Sequence, residues 1–229
     1  MAITKARAAI GRIFYQRCFY LFLVLLALII GVPFIEPTPA GRFLVNLTGT
    51  AVVIAAVATV GRTRLSFVIA FLLAIPAAIF HWIGMSQDDP HYLFLAACFG
   101  AGLYGMTLAY LLRYVFERHV ITADRLFGAA SAYLIIGVLW AYLYAIAGHL
   151  YPQSFAAGGT VATLATYDYL YFSFTALTST GFGDITPLSR QARSLCVAEQ
   201  LIGTLFLAIL IARLAGVYPP AESSVEGTE

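Results

Sequence analysis

The stretch TYDYLYFSFTALTSTGFGDITP (Thr166–Pro187) lies between two long apolar runs and differs in composition from both. Its first twelve residues are aromatic and hydroxyl-bearing, which is too few to cross a bilayer core that needs about 20 apolar residues. Thr166 is a suitable N-cap, and Asp168 would lie in the first turn, where the helix dipole favours an acid. We predict a half-helix over Thr166–Leu177 that enters the membrane part-way, followed by the extended segment TSTGFGDITP (Thr178–Pro187).

The two glycines of the extended segment have a physical use at this spacing. Non-helical backbone at membrane depth is tolerated only where protein buries it or water lines it. Gly181 and Gly183 accept positive φ angles, so successive carbonyl groups can point to one side. A helix C-terminus and a row of carbonyl oxygens both present negative dipole ends. The segment therefore predicts a site for a cation.

The composition of the whole chain indicates a membrane protein. Of its 229 residues, 61% are hydrophobic and 10% are charged, whereas soluble domains carry about 25% charged residues. This composition excludes a soluble globular enzyme, and the net charge of +2 does not suggest nucleic-acid binding. Cys18, Cys98 and Cys196 are an odd set without CxxC spacing, so we expect neither a disulfide framework nor a thiolate metal site. No catalytic constellation or phosphate loop is visible, and we expect no enzymatic activity.

Six apolar runs reach or approach the length of a membrane-spanning helix. They are Cys18–Ile35, Phe43–Val60, Leu65–Gly84, Tyr92–Val115, Leu126–Leu150 and Ala192–Gly216. The predicted fold class is an all-α integral membrane protein with six transmembrane helices and a re-entrant pore helix between helices 5 and 6. The predicted domains are a basic cytoplasmic or interfacial N-terminus (1–17), a four-helix peripheral domain (18–117), a pore domain (126–216) and a disordered cytoplasmic tail (217–229).

The distribution of Lys and Arg predicts the orientation in the membrane. With the N-terminus inside, ten of the thirteen basic residues fall on the cytoplasmic side: Lys5, Arg7, Arg12, Arg17, Arg62, Arg64, Arg113, Arg118, Arg125 and Arg213. The outer segments hold Arg42, Arg190 and Arg193. We therefore expect a multi-pass protein of the cell (inner) membrane with both termini in the cytoplasm.

The segment Thr178-Ser179-Thr180-Gly181-Phe182-Gly183-Asp184 resembles the selectivity-filter signature of the potassium channel superfamily, for which the pattern TVGYG is typical. The resemblance covers roughly Leu126–Gly216. Six spans with one pore loop are also the layout of voltage-gated potassium channel subunits, here in a compact, prokaryotic form. The resemblance implies that K⁺ is bound at four positions, with a hydroxyl at the innermost one: Ser179, Thr180, Gly181 and Phe182.

Three filter positions differ from the family pattern, because Ser179 replaces Thr, Thr180 replaces Val or Ile, and Phe182 replaces Tyr. Phe182 lacks a hydroxyl that could tether the filter from behind. The resemblance implies a potassium channel subunit that works as a homotetramer in a lipid bilayer, with no cofactor beyond permeant K⁺ and no nucleic-acid partner. The alternatives are a weakly selective monovalent cation channel on the same scaffold and a potassium transporter subunit. Such transporters carry four pore loops in one chain. A membrane enzyme or scaffold would leave the filter pattern unexplained.

The sixth predicted span holds residues suited to a cavity or gate. Gly203 lies twenty residues past Gly183, which matches the spacing of the family's inner-helix hinge. A plain packing glycine is the alternative interpretation. Thr204, Leu207 and Ile211 share one helix face, which the resemblance places on the water-filled cavity.

Glu199 is the only acid within a predicted span, and intramembrane acids usually mark function. One interpretation is a ring of four carboxylates that lines the cavity. The other is a buried supporting acid that is hydrogen-bonded behind the filter to a hydroxyl such as that of Ser173 or Thr175. Counting from Gly203 places the cavity face at Gln200 rather than Glu199, which favours the supporting role.

Gating by voltage is expected to be absent or weak, because a voltage sensor needs several arginines within its fourth helix. Between Tyr92 and Leu112 the chain has no Lys or Arg. The four histidines (His81, His91, His119 and His149) do not cluster in the sequence. We interpret them as interface residues, with pH sensing by His149 as the alternative.

Overall fold

Apolar helices make up most of the chain, as the composition predicts. The computed structural model describes residues 17–31, 34–35, 38–60, 64–87, 89–117 and 123–215. Its elements, in chain order, are α1 (Arg17–Gly31), α2 (Pro39–Val60), α3 (Arg64–Gln87), α4 (Pro90–Phe116), α5 (Ala123–Leu150), β1 (Phe155–Ala157), β2 (Thr160–Val161), α6 (Thr166–Leu177), β3 (Ile185–Pro187) and α7 (Arg190–Ala215). The predicted all-α class is confirmed.

Four of the helices are long and apolar enough to cross a membrane: α3, α4, α5 and α7. Helix α1 has 15 residues, which corresponds to about 22 Å and is short of a bilayer core of about 30 Å. Helix α2 has 22 residues, but its apolar stretch among the described residues is the shorter Asn46–Ala58. These four helices indicate a membrane protein. The count of six spans stays a prediction.

Helix α5 is the central element of the fold. It packs against α1, α4, α6 and α7, and half of its apolar window is buried within the chain. Leu21 of α1, Leu111 of α4, and Ile135 and Tyr144 of α5 are fully buried in one continuous apolar cluster. Helices α1, α2 and α4 therefore share one core with α5, α6 and α7.

Small side chains allow α3 to pack closely against its neighbours. Ala70 and Ala74 of α3 are buried in a second cluster with Leu103 of α4. Helix α4 begins at Pro90 behind Asp89, whose carboxylate accepts a hydrogen bond from the backbone N–H of His91 at 2.9 Å. This cap satisfies one of the backbone donors that the first turn of a helix leaves free.

A three-stranded sheet orders the connection between α5 and α6. Strand β1 pairs antiparallel with both β2 and β3, so that Ala156 lies opposite Val161 on one side and Thr186 on the other. The composition of residues 149–165 predicts a flexible outer loop, whereas the structure forms two short strands there. The strand that orders it, β3, comes after the filter segment, and such a non-local pairing leaves no local pattern in the sequence.

The predicted domain boundaries can be compared with the helix ends. The peripheral helices end at Phe116 and α5 begins at Ala123, slightly before the predicted start of the pore domain at 126. Apart from Arg17, the basic N-terminus (1–17) lies outside the described residues, as do the tail (217–229) and His119.

Candidate ion-conduction site

Helix α6 occupies the predicted range and is capped from inside its first turn. Its N-cap is Ala165, so the prediction that Thr166 is the N-cap was wrong by one residue. The carboxylate of Asp168 accepts a hydrogen bond from the Ala165 N–H at 2.9 Å. Because Asp168 supplies the acceptor, the helix start does not require a hydroxyl cap.

Aromatic contacts fix the direction of α6. Phe172 is buried and meets the ring of Tyr144 on α5 edge-to-face, with ring centroids 4.9 Å apart. Phe155 of β1 contacts Phe172 and Tyr169 in the same manner, at 5.5 Å in each case. The helix is thereby held between α5 and the sheet, and its C-terminal end leads directly into the filter segment (Thr178–Asp184).

The backbone of the filter segment alternates in handedness. Ser179, Gly181 and Gly183 have positive φ angles of 55°, 54° and 79°, and the residues between them do not. The predicted positive φ angles of the two glycines are confirmed. Such an alternation brings successive carbonyl groups, or successive N–H groups, to the same side of the chain.

The N–H groups of Ser179, Thr180 and Gly181 point back to α6. The Ser179 N–H donates to the Ala176 carbonyl at 2.9 Å, and the Thr180 and Gly181 N–H groups donate to the Thr175 carbonyl at 2.9 and 3.2 Å. With these three N–H groups bonded to α6, the alternating backbone can present its carbonyl oxygens on the opposite side. This arrangement can replace the hydration shell of a cation.

Ser179 takes a conformation that sequence reasoning did not predict. A left-handed backbone costs a residue with a side chain about 1–2 kcal/mol, and such residues cluster where function over-determines the backbone. The Thr178 hydroxyl donates to the Phe174 carbonyl at 2.7 Å and lies 2.8 Å from the Thr180 hydroxyl. These contacts on both sides hold the backbone around Ser179.

Tyr171 of α6 supports the outer half of the filter segment. Its ring stacks on that of Phe182 with centroids 6.4 Å apart and planes 6° from parallel. Phe182 is nevertheless 69% exposed on the single chain, so this face of the filter segment is largely uncovered by its own subunit.

The sheet holds the exit of the filter segment. The Gly158 N–H, in the β1–β2 turn, donates to the Asp184 carbonyl at 2.9 Å, and the Leu188 N–H donates to the Ser154 carbonyl at 2.7 Å. The backbone is therefore anchored on both sides of β3. This anchor was not predicted from the sequence, in which the Gly158-Gly159 pair is the one visible turn signal.

Glu199 of α7 joins three helices behind the filter segment. It is fully buried, and its carboxyl oxygens lie 2.6 Å from the hydroxyls of Tyr144 on α5 and Ser173 on α6. Of the two hydroxyls proposed from the sequence, Ser173 makes this contact, whereas Thr175 donates to the Phe172 carbonyl. Tyr144 was missed, because nothing in the sequence of α5 distinguishes it from the other aromatic residues.

The donors and acceptors in this cluster can all be paired if Glu199 is protonated. The Ser173 hydroxyl has one proton, yet it lies 2.7 Å from the Gly137 carbonyl and 2.6 Å from Glu199 Oε1. Both contacts are hydrogen bonds if Ser173 donates to Gly137 and a protonated Glu199 donates to Ser173. The Tyr144 hydroxyl then donates to the remaining oxygen, and the buried cluster is fully satisfied.

Gly203 lies where α7 crosses the end of α6. A Cβ atom at this position would be 2.5 Å from the Leu177 carbonyl oxygen, which also accepts a 3.4 Å hydrogen bond from the Tyr133 hydroxyl. This close approach supports the packing interpretation, and the hinge stays a prediction. Further along α7, three side chains are exposed on the single chain, and their place on a cavity also stays a prediction: Thr204, Leu207 and Ile211.

Comparison with known proteins identifies this part of the chain. Residues 129–218 match the family model described as "Ion channel". No curated protein and no solved structure matches the chain significantly. The matched range contains α6, the filter segment, α7 and most of α5. This match supports the resemblance of residues 129–218 to the potassium channel superfamily.

Proposed function

We propose that the chain is one subunit of a homotetrameric channel that conducts potassium ions selectively and passively across the cell (inner) membrane. The observation that carries the proposal is the positive φ at Ser179, Gly181 and Gly183, with the N–H groups of residues 179–181 bonded to α6. Four carbonyl positions are then the K⁺ ligands: Ser179, Thr180, Gly181 and Phe182. The protein needs no cofactor beyond the permeant ion, and conduction requires no enzymatic step.

A tetramer follows from the need to surround the ion. One filter segment supplies one row of oxygens, and rings of carbonyls in potassium filters come from four copies related by closed symmetry. The single chain leaves the filter segment exposed and also exposes Leu201 and Leu205 of α7, by 59% and 56%. These surfaces are available for contact with other subunits.

The proposed topology has six spans with a re-entrant α6. Helix α6 has 12 residues, or about 18 Å, and ends inside a bilayer core of about 30 Å. Helices α1 and α2 are the two remaining spans. Both termini lie in the cytoplasm because the basic residues concentrate on that side.

The proposed channel is not gated by voltage. Arg113, in the last turn, is the one basic residue of α4 other than His91. Moving a single charge through the membrane field supplies about 2.3 kcal/mol per 100 mV, and steep gating needs several such charges per subunit. Helices α1 to α4 therefore serve as a peripheral scaffold for the pore.

A weakly selective monovalent cation channel is the second candidate, and one observation favours it. Phe182 has no hydroxyl, so its support is the stack on Tyr171 rather than a hydrogen bond. A less rigid filter discriminates less between K⁺ and Na⁺ if selectivity depends on a fixed cavity size. A potassium transporter subunit is disfavoured because the chain contains one filter segment.

The role proposed for Glu199 is structural support of the filter. Its contacts with Tyr144 and Ser173 join α5, α6 and α7 at the helix that carries the filter segment. Each helix can shift relative to the others only if a buried hydrogen bond is broken, which costs about 1–3 kcal/mol for each group left unsatisfied.

Flux through the purified full-length protein in liposomes tests the proposed function. K⁺-loaded and Na⁺-loaded vesicles of the same lipid composition are compared at several pH values, with empty vesicles as the control. We expect protein-dependent K⁺ flux that far exceeds Na⁺ flux. Equal fluxes would establish the second candidate, and flux of neither ion would overturn both.

A further inference from the structure

The fold brings together two histidines that are distant in the sequence. His91 lies in the first turn of α4 and His149 in the last turn of α5. The centroids of their imidazole rings are 5.6 Å apart, with 36° between the ring planes. From the end of α5 at Leu150 the chain continues through Ser154 into β1, which pairs with β3 directly after the filter segment. The histidine pair therefore lies on the side of the filter exit.

Both side chains are positioned for contact with a ligand from water. His149 is half-buried, and its ring stacks on Phe94 at a centroid distance of 4.4 Å. His91 is exposed, and its backbone is ordered by the hydrogen bond to Asp89. Among the described residues, no side-chain hydrogen bond involves either imidazole. Their ring nitrogens are thus available to a ligand.

We propose that His91 and His149 form a binding site for a divalent transition-metal ion such as Zn²⁺. Neutral imidazole is a common zinc ligand. Two imidazoles on one tetrahedral zinc, with Zn–N bonds of about 2.0–2.1 Å, have ring centroids roughly 5 Å apart. The observed 5.6 Å is close to this value, so the two rings are near enough to share one metal ion.

The site is an open one with two protein ligands. The described part of the chain has no group of three or more His, Cys, Asp or Glu side chains that could hold a metal. Water therefore completes the coordination, and the site binds reversibly rather than as a closed structural centre. Because one ligand belongs to α4 and the other to α5, the bound metal connects the peripheral helices to the pore helices.

Zinc chloride alone, titrated into the purified full-length protein, tests this proposal by calorimetry. We expect one zinc ion per chain. We also expect a loss of affinity of about tenfold or more in His91→Ala and in His149→Phe, since each variant removes one ligand. His149→Phe retains the aromatic contact with Phe94. Because His91 is exposed, His91→Ala keeps the test valid even if His149→Phe fails to fold.

Two controls separate this pair from other zinc ligands. His81→Gln on α3 and Cys98→Ser on α4 should bind zinc as the unsubstituted protein does. With Cu²⁺ in place of zinc, electron paramagnetic resonance should show coupling to two imidazole nitrogens, reduced to one in His91→Ala. Absence of zinc binding, or binding that is unchanged in His91→Ala, would overturn the proposal. Since no ion flux is measured, either result is independent of the proposed channel function.

Discussion

Helices α3 and α7 are both largely exposed on the single chain, but the side chains that they bury are of different kinds. Within the chain, 22% of the apolar window of α3 is buried, against 17% for α7. The buried positions of α3 are small: Ala70, Ala74, Ala77 and Gly84. Those of α7 include an acid and a large aromatic side chain: Ala192, Glu199, Gly203 and Phe206.

The difference shows that the extent of burial alone does not reveal how a helix contacts its neighbours. Helix α3 meets its neighbours through close packing of small residues, as membrane helices commonly do. Helix α7 meets α5 and α6 through hydrogen bonds to Glu199, and at Gly203 its backbone touches the end of α6. A polar group that lacks a hydrogen-bond partner in an apolar surrounding costs free energy. Substitutions near the filter should therefore have larger effects than substitutions on α3.

The largest effect is expected for Gly181→Ala in the filter segment. Gly181 has φ of +54°, and no neighbouring atom lies within 4 Å of the position that an alanine Cβ would occupy. The substitution therefore causes backbone strain rather than a steric clash, at about 1–2 kcal/mol per subunit. That cost is repeated in every subunit, and any relaxation turns a carbonyl away from the ion. Potassium flux in liposomes should vanish while size-exclusion chromatography still shows the tetramer.

Gly159→Ala is the matched control for that substitution. Gly159 has φ of +81° and equally open surroundings, but it lies in the β1–β2 turn. The backbone cost is similar, so potassium flux should stay close to that of the unsubstituted protein. Undiminished flux through Gly181→Ala would contradict the filter assignment.

The second effect concerns Glu199. In Glu199→Ala the Tyr144 hydroxyl loses its acceptor, whereas Ser173 keeps the Gly137 carbonyl. One buried donor left unsatisfied costs about 1–3 kcal/mol, which thermal unfolding in detergent should detect as a lower Tm.

Glu199→Gln sharpens the same comparison. The glutamine amide can donate to Ser173 and its oxygen can accept from Tyr144, as a protonated glutamate does. Stability, assembly and conductance should be nearly unchanged. A large drop in inward potassium conductance with the tetramer intact would instead place Glu199 on the cavity.

The third effect separates the exposed faces of the two helices. Leu72 of α3 and Leu205 of α7 are exposed on the single chain to similar extents, 64% and 56%. If α7 faces other subunits, Leu205→Ala removes buried apolar contact there, worth about 2 kcal/mol or more. Native mass spectrometry should show partial dissociation of the tetramer in Leu205→Ala and none in Leu72→Ala. Equal behaviour of the two variants would remove the distinction between α3 and α7.

The smallest effect is expected for Ser179→Ala. The substitution removes the hydroxyl proposed for the innermost ion position and leaves the backbone carbonyls in place. Losing one such ligand contact of about 0.5–1.5 kcal/mol corresponds to a roughly two- to tenfold change. Potassium flux should fall within that range without vanishing, and complete loss would mean that Ser179 has a structural role as well.

The parts of this molecule that follow from local patterns were predictable. Four of the six apolar runs form helices long enough to span a membrane. The aromatic segment before the filter is a 12-residue helix, and Gly181 and Gly183 have positive φ. Each of these features depends on composition or on the conformational freedom of single residues, which a sequence displays directly.

The features that were missed depend on contacts between distant segments. Tyr144 reaches Glu199 from another helix, β3 pairs with β1 across α6, and the ring of His91 meets that of His149. None of these residues has a neighbour in the sequence that marks its role. The positive φ of Ser179 belongs to the same class, because the hydrogen bonds around it, rather than its own preference, hold it there.

The reversal potential of single channels under bi-ionic conditions tests the central claim most directly. Purified protein in a planar bilayer is given K⁺ on one side and Na⁺ at equal concentration on the other. Each tenfold of permeability ratio shifts the reversal potential by about 59 mV for a monovalent ion. A filter built from Ser179, Thr180, Gly181 and Phe182 predicts a large shift of the reversal potential toward the K⁺ equilibrium potential. The Gly181→Ala variant should carry no current under the same conditions. A reversal potential near zero in the unsubstituted protein would contradict potassium selectivity.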